Sequence, residues 1–257
     1  MNEVVKTIVL RAAGTNCDKE TVHAFEVAGS YVDLVHINVI KKDPSLLKKY
    51  QILAVPGGFT YGDDIASGKI LANELKFNLE TSLREFIKEG KLIIGICNGF
   101  QVLVKMGILP GIGASGNISP EATLALNDSG KFIDRWVRLR RPHGKDLCVW
   151  TRGLPGDVEL PIAHAEGKFI PKDSSVAELM AQKGQVVFKY CENPNGSVMD
   201  IAGICDTTGR IMGLMPHPER NVSYLQHPRW RRGRTENMGI GIKIFKNGVA
   251  YAQDQLL

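Results

Sequence analysis

Short apolar runs recur through the first part of the chain, parted by turn signals and helical patterns. Thr7–Ala12, Tyr31–His36, Gln51–Val55 and Leu92–Ile96 read as strands. Asn16 can cap a helix over about Cys17–Ala28, and Gly29 ends it. After the third run, Pro56-Gly57-Gly58 closes the strand. Ser67 or Gly68 then opens a long helical pattern through Leu71, Leu75, Leu79, Leu83 and Phe86 to Gly90. Strands alternating with helices imply right-handed crossovers. The predicted fold is therefore α/β, a mostly parallel open sheet with helices on both faces.

The pattern changes after Pro110. Thr123–Leu126, Phe132–Leu139, Leu147–Trp150, Val186–Tyr190, Val198–Ile204 and Arg210–Met215 are strand candidates separated by turns such as Asn127-Asp128-Ser129-Gly130. They predict an antiparallel β section on the same core. A short helix is expected over Ser174–Gln182 and a final one over about Asn237–Gln253. With 257 residues, 44% of them hydrophobic, the chain can bury one sizeable core, and no linker or repeat divides it. Residues 1–257 are read as a single domain.

The chemistry concentrates at Gly95-Ile96-Cys97-Asn98-Gly99-Phe100-Gln101. It follows a buried strand and opens a helix, which is the nucleophile-elbow arrangement with sulfur in place of oxygen. Glycines flank the turn because it is too tight for side chains. A sulfur at a helix N-terminus meets free N–H groups and a dipole that favour the thiolate. Ligands on open parallel sheets bind beyond the carboxyl ends of strands, where both Cys97 and Gly57-Gly58 fall.

A cysteine nucleophile needs a base, and the base needs an orienting group. Met215-Pro216-His217-Pro218-Glu219-Arg220 offers both. The prolines predict an extended segment, in which His217 and Glu219 project to the same side. Gly57, Gly58 and the amide of Asn98 are candidates for an oxyanion hole.

The five cysteines, Cys17, Cys97, Cys148, Cys191 and Cys205, form no Cys-x-x-Cys pair. That pattern predicts neither a metal site nor a disulfide framework, and a reducing compartment, the cytoplasm. No apolar run approaches the length of a membrane span, and Arg11 breaks the start of the chain as an export signal. The net charge of +5 is diagnostic of no partner. Gly111–Gly116 spells a dinucleotide motif but follows a helix rather than a strand, so a loop is expected. The basic run Arg229–Arg234 has one aromatic and is weak evidence for nucleic acid. It is read as an exposed segment near the site. Cys17, near a helix start but without an elbow, is expected to be a packed thiol near the site's mouth.

The Cys97 elbow, Pro56–Asp64 and Met215–Arg220 resemble the class I (triad) glutamine amidotransferases. Gly14–Asp18, Pro161–Lys168 and Asn193–Ser197 narrow the resemblance to the glutaminase subunits of phosphoribosylformylglycinamidine synthases of purine biosynthesis. The resemblance implies a flavodoxin-like amidotransferase fold and hydrolysis of glutamine by Cys97, His217 and Glu219. It places Gly57, Gly58 and Asn98 at the oxyanion and Gln101 at the backbone groups of glutamine. It further implies that ammonia passes to a large synthetase subunit using ATP and Mg2+. A small bridging subunit is also implied, and neither a cofactor nor nucleic acid in this chain. His164-Ala165-Glu166-Gly167 departs from the family's frequent His-Gly-Glu-Gly, and His164 is expected in a partner-facing or structural loop. A cysteine hydrolase of the DJ-1-like superfamily is the alternative from the same fold. A non-catalytic regulatory module is the alternative from another class.

Overall fold

A computed structural model describes residues 3–111, 119–142, 144, 147–231 and 238–257. Its first half builds β1 (Lys6–Arg11), α1 (Asp18–Val27), β2 (Tyr31–His36), α2 (Ile37–Lys42), β3 (Ile52–Val55), α3 (Lys69–Lys88), β4 (Leu92–Ile96) and α4 (Asn98–Met106). Then come β5 (Ala122–Ala125), β6 (Ile133–Arg140), β7 (Asp157–His164), β8 (Lys168–Pro171), α5 (Ser174–Lys183) and β9 (Val186–Tyr190). The chain closes with β10 (Ile201–Cys205), β11 (Ile211–Leu214) and α6 (Ile242–Gln255).

One nine-stranded sheet runs in the order β2-β1-β3-β4-β11-β10-β9-β6-β7. Strands β2, β1, β3, β4 and β11 pair in parallel. From β11 outward through β10, β9, β6 and β7 the pairing is antiparallel. The central strands β3 and β4 are buried at every position, as a sheet covered on both faces requires. Helix α3 buries Leu71, Leu75, Leu79, Leu83 and Phe86, one stripe at helical spacing, and packs beside α4. On the other face α1 meets α6, where Phe25 and Phe245 pack edge to face with centroids 4.9 Å apart. Fully burying a ring of that size contributes roughly 2 kcal/mol.

Two expectations fail here for identifiable reasons. Leu147–Trp150 is not a strand: Val149–Thr151 is a short 3-10 turn. Its apolar residues are buried as a plug, with Trp150 Nε1 donating to the Arg210 carbonyl at 2.9 Å. A buried plug and a buried strand give the same apolar run. Conversely, β7 was hidden by Pro161. It is the last strand of the sheet, and Pro161 lies opposite Trp136 of β6. An edge strand tolerates the missing donor. The final helix begins at Ile242, later than expected, and Asn237 lies outside the described residues.

The topology decides where the chemistry falls. Strands β3, β4 and β11 are adjacent and parallel, with Val55 beside Gly95 and Leu214 beside Ile96. Their carboxyl ends carry Gly57-Gly58, Cys97 and His217 to one place.

Candidate active site

Cys97 joins β4 to α4 with φ 51° and ψ −105°, a strained conformation for a residue with a side chain. The turn is held from both sides. A Cβ on Gly99 would lie 1.8 Å from the Val55 carbonyl oxygen, and one on Gly95 would lie 2.6 Å from the Gly99 oxygen. Only glycine permits these approaches. The Cys97 amide donates to the Leu214 carbonyl at 2.8 Å, which ties the elbow to β11. Its thiol contacts the Ala163 carbonyl at 3.6 Å. Cys97 is only 4% exposed.

His217 donates from Nδ1 to Glu219 Oε1 at 2.6 Å. Both side chains are buried, each 1% exposed. The segment is not extended as expected: Pro218–Arg220 forms a 3-10 turn that brings Glu219 back onto the imidazole. The His217 amide donates to the Pro161 carbonyl at 2.8 Å, so β7 fixes the start of that turn. His217 Nε2 has no hydrogen-bond partner among the described residues. A Cβ on Gly57 would lie 2.8 Å from His217 Cε1 and 3.4 Å from Cys97 Cβ. The imidazole and the thiol therefore face each other across the space above Gly57. Burial pulls the proton affinity of His217 down. The Glu219 charge, with the sulfurs of Cys97 and Cys17, outweighs it and leaves His217 well above the ordinary imidazole value.

The Gly57 carbonyl accepts from the amides of Asn16 and Cys17, at 3.4 and 3.2 Å. Because a trans peptide sets its C=O and N–H on opposite sides, the Gly58 N–H points away from that loop. The side chain of Asn98 is pinned. Its Oδ1 accepts from Thr60 Oγ1 at 2.6 Å, and its Nδ2 donates to Gln101 Oε1 at 2.9 Å and Asp63 Oδ1 at 3.2 Å. Gln101 Nε2 in turn donates to the Glu166 carbonyl at 2.6 Å. The elbow helix is thus tied to the segment after β7. Cys97, His217, Glu219, Gly57, Gly58, Asn98 and Gln101 all lie in one region.

His164 is not in a partner-facing loop. It ends β7 and is buried. Asn127 Nδ2 donates to the carbonyls of Lys131 and His164, so Asn127 Oδ1 is the acceptor that faces His164 Nδ1 at 3.1 Å. His164 Nε2 is then a bare acceptor, without a partner among the described residues. Burial, and next the charge of His217, push His164 down to about 4. Burial thus favours the neutral form of His164, and the Glu219 carboxylate favours the protonated form of His217.

Several participants escaped the sequence. Lys105, nearly buried in the apolar helix α4, lies 3.9 Å from Glu166. Burial lowers Lys105 from the ordinary lysine value and raises Asp63 from the ordinary carboxylate value. A lone lysine among buried residues was the available signal. Cys17 lies deeper than a site mouth: it is fully buried, 3.9 Å from His217 Nδ1. Cys17, His217 and Glu219 offer ligand atoms within 4.8 Å of one another. Yet the Arg220 guanidinium already sits 3.1 Å from the Cys17 sulfur, and a metal ion would have to displace a cation. In the basic run, Arg229 pairs with Glu159 and Arg231 lies 4.9 Å from the Trp230 ring. Arg232–Arg234 and the glycine motif beyond Gly111 lie outside the described residues.

A cysteine elbow, a carboxylate-oriented histidine and glycine amides at the ends of parallel strands define a glutamine-amidotransferase-like site. The CobB/CobQ-like glutamine amidotransferase domain matches residues 4–252, and the chain belongs to that family. It is 48% identical to phosphoribosylformylglycinamidine synthase subunit PurQ of Dehalococcoides mccartyi, over 97% of this chain and 98% of that one. It is 42% identical to the subunit of the same name from Methanococcus maripaludis, over 96% and 98%. The structure of PurLQS from Thermotoga maritima superposes with a TM-score of 0.75 at 32% identity, covering 97% of this chain and 99% of that one. A glutamine amidotransferase from Thermotoga maritima shares the fold, with a TM-score of 0.55 at 16% identity, covering 98% and 99%.

Proposed function

We propose that this chain, as one amidotransferase domain, is the glutaminase subunit of a phosphoribosylformylglycinamidine synthase in purine biosynthesis. The observation that carries the chemistry is the Cys97 elbow facing a buried His217–Glu219 pair whose Nε2 is free to act. Cys97, its thiol proton passed to His217, attacks the side-chain amide carbon of glutamine as the thiolate. The amides of Gly58 and Asn98 donate to the oxyanion that forms. His217, held protonated by Glu219, gives its proton to the leaving ammonia, and a thioester to Cys97 remains. His217 then takes a proton from water, the water oxygen attacks the thioester, and glutamate leaves as Cys97 is regenerated. Gln101, held by Asn98 and the Glu166 carbonyl, is placed to orient the backbone groups of glutamine.

The ammonia goes to a large synthetase subunit, which uses ATP and Mg2+ to make formylglycinamidine ribonucleotide from formylglycinamide ribonucleotide. A small subunit bridges the two. The complex is cytoplasmic; no helix among the described residues is long and apolar enough to cross a membrane. Cys97 is buried, 4% exposed. Docking of the synthetase is the event that opens the site, so ammonia forms only when a consumer is present. Neither the DJ-1-like hydrolase nor the non-catalytic module finds support in the family match or the relatives.

The test is glutamate release from glutamine, alone and with the synthetase subunit. The parent chain alone is expected to be slow and to accelerate on adding the partner. Cys97→Ser is expected to lose the activity in both conditions with its fold intact. Full glutaminase activity in Cys97→Ser would remove Cys97 from the mechanism.

A further inference from the structure

Arg220 has no task in the proposed chemistry, yet its guanidinium sits inside the site, half-buried. Its Nη2 donates to the Cys17 sulfur at 3.1 Å. The Cys17 thiol directs its own proton to Asn16 Oδ1, also at 3.1 Å, which leaves the sulfur lone pairs to Arg220. The same sulfur is 3.9 Å from His217 Nδ1. Arg220 is thereby held behind the imidazole, on the side of Glu219 rather than on the side of Nε2.

The groups that face His217 come from several elements. Glu219 belongs to its own turn, Cys17 to the start of α1, Cys97 to the elbow and His164 to the end of β7. Arg220 reaches this set through the Cys17 sulfur. His164 is neutral by burial. Arg220 is therefore the fixed cation of this set. A buried carboxylate 2.6 Å from an imidazole holds the ring protonated. That suits acceptance of a proton from water. It hinders the step before, in which the ring must give its proton to the leaving ammonia. A permanent positive charge beside the carboxylate moderates the hold. Arginine suits the place because it stays charged when half-buried.

We propose that Arg220, anchored on the Cys17 sulfur, is a positioning residue that offsets the charge of Glu219 and keeps His217 able to exchange its proton during turnover. It touches neither substrate nor nucleophile in this role.

The inference rests on the triad proposed above, and its test separates the two. The full chain is labelled with 13C at the histidine rings and the titration of His217 is followed by NMR, with His217→Gln identifying the resonance. A unit charge within about 7 Å, at an effective dielectric near 20, moves a midpoint by about one unit or more. Arg220→Gln is expected to raise the His217 midpoint by about that amount, and Arg220→Lys to restore most of it. The alkaline limb of kcat/KM for glutamine, measured with the partner present, is expected to move up by the same interval with KM unchanged. A structural role alone would lower Tm and leave the midpoint in place. Should Arg220→Gln fail to fold, Arg220→Met removes the same charge while keeping an apolar stem and is expected to move the midpoint in the same direction. An unmoved midpoint in the variant that folds overturns the proposal, as does failure of Arg220→Lys to restore it. The NMR shift stands whether or not Cys97 is the nucleophile, whereas activity in Cys97→Ser refutes the triad alone.

Discussion

Glu219→Gln keeps the shape of the side chain and removes its charge. The bond it alters is short, 2.6 Å, and joins two buried groups. At an effective dielectric of about 20, opposite charges roughly 4 Å apart attract by about 4 kcal/mol, equivalent to about three pH units. The amide oxygen of glutamine still accepts from Nδ1, so a fall of about two units in the His217 midpoint is expected. Without its anion the imidazolium is no longer held, and kcat for glutaminase is expected to drop by roughly 10²–10⁴. Stability should change with a definite pH signature. Folded His217 binds its proton more tightly than the unfolded chain does. The stability from the pair is therefore complete below about pH 6.5 and is lost as pH rises through the raised folded value. Urea unfolding of parent and variant from about pH 6 to about pH 10 should then show a gap of roughly 3 kcal/mol at the acid end that closes toward the alkaline end. A gap that stays flat with pH, or a variant with parental kcat, would refute the proposed coupling of His217 to Glu219.

Gly99→Ala forces a Cβ to within 1.8 Å of the Val55 carbonyl oxygen, so β3 and the elbow must part. A loss of roughly 2–3 kcal/mol by urea unfolding is expected, with glutaminase falling more steeply than stability. His164 has a folded value near 4, below its unfolded value, so its neutral form stabilises the fold above about pH 6.5 and that contribution is lost as pH falls toward 4. His164→Gln should flatten this acid limb in unfolding curves; a limb as steep as the parent's would contradict the assignment.

The parallel half of the fold was legible because buried strands read as continuous apolar runs and helices as stripes. Ile52–Val55 and Leu92–Ile96 are buried throughout, and Leu71, Leu75, Leu79, Leu83 and Phe86 line one face of α3. The elbow was legible because its glycines are a steric necessity against Val55. The antiparallel half was harder. Pro161 disguised an edge strand, and the buried plug at Trp150 imitated one. What no local pattern could show was which distant groups share a wall of the site. Cys17 and His217 are 200 positions apart, and only the adjacency of β1, β3, β4 and β11 sets them side by side. The same holds for Gln101 with Glu166, 65 positions apart, and for His164, whose neutral state depends on burial rather than on its neighbours in sequence.

The geometry also bears on why a reactive thiol stays quiet. Two layers close over Cys97. One is the end of β7 and the segment after it: the Ala163 carbonyl touches the sulfur, and the Glu166 carbonyl is held by Gln101. The other is the Thr60–Ser67 loop, pinned to the elbow through Asn98 and to the first layer through Glu166, which accepts from the Ser67 amide. Tyr61, Asp63 and Ile65 in that loop hold positive φ. Each such residue stores about 1–3 kcal/mol, offset by the hydrogen bonds that fix it. The Glu166 carboxylate and the Asn98 side chain therefore fix a strained loop beside the elbow, and loss of either contact would leave that strain uncompensated.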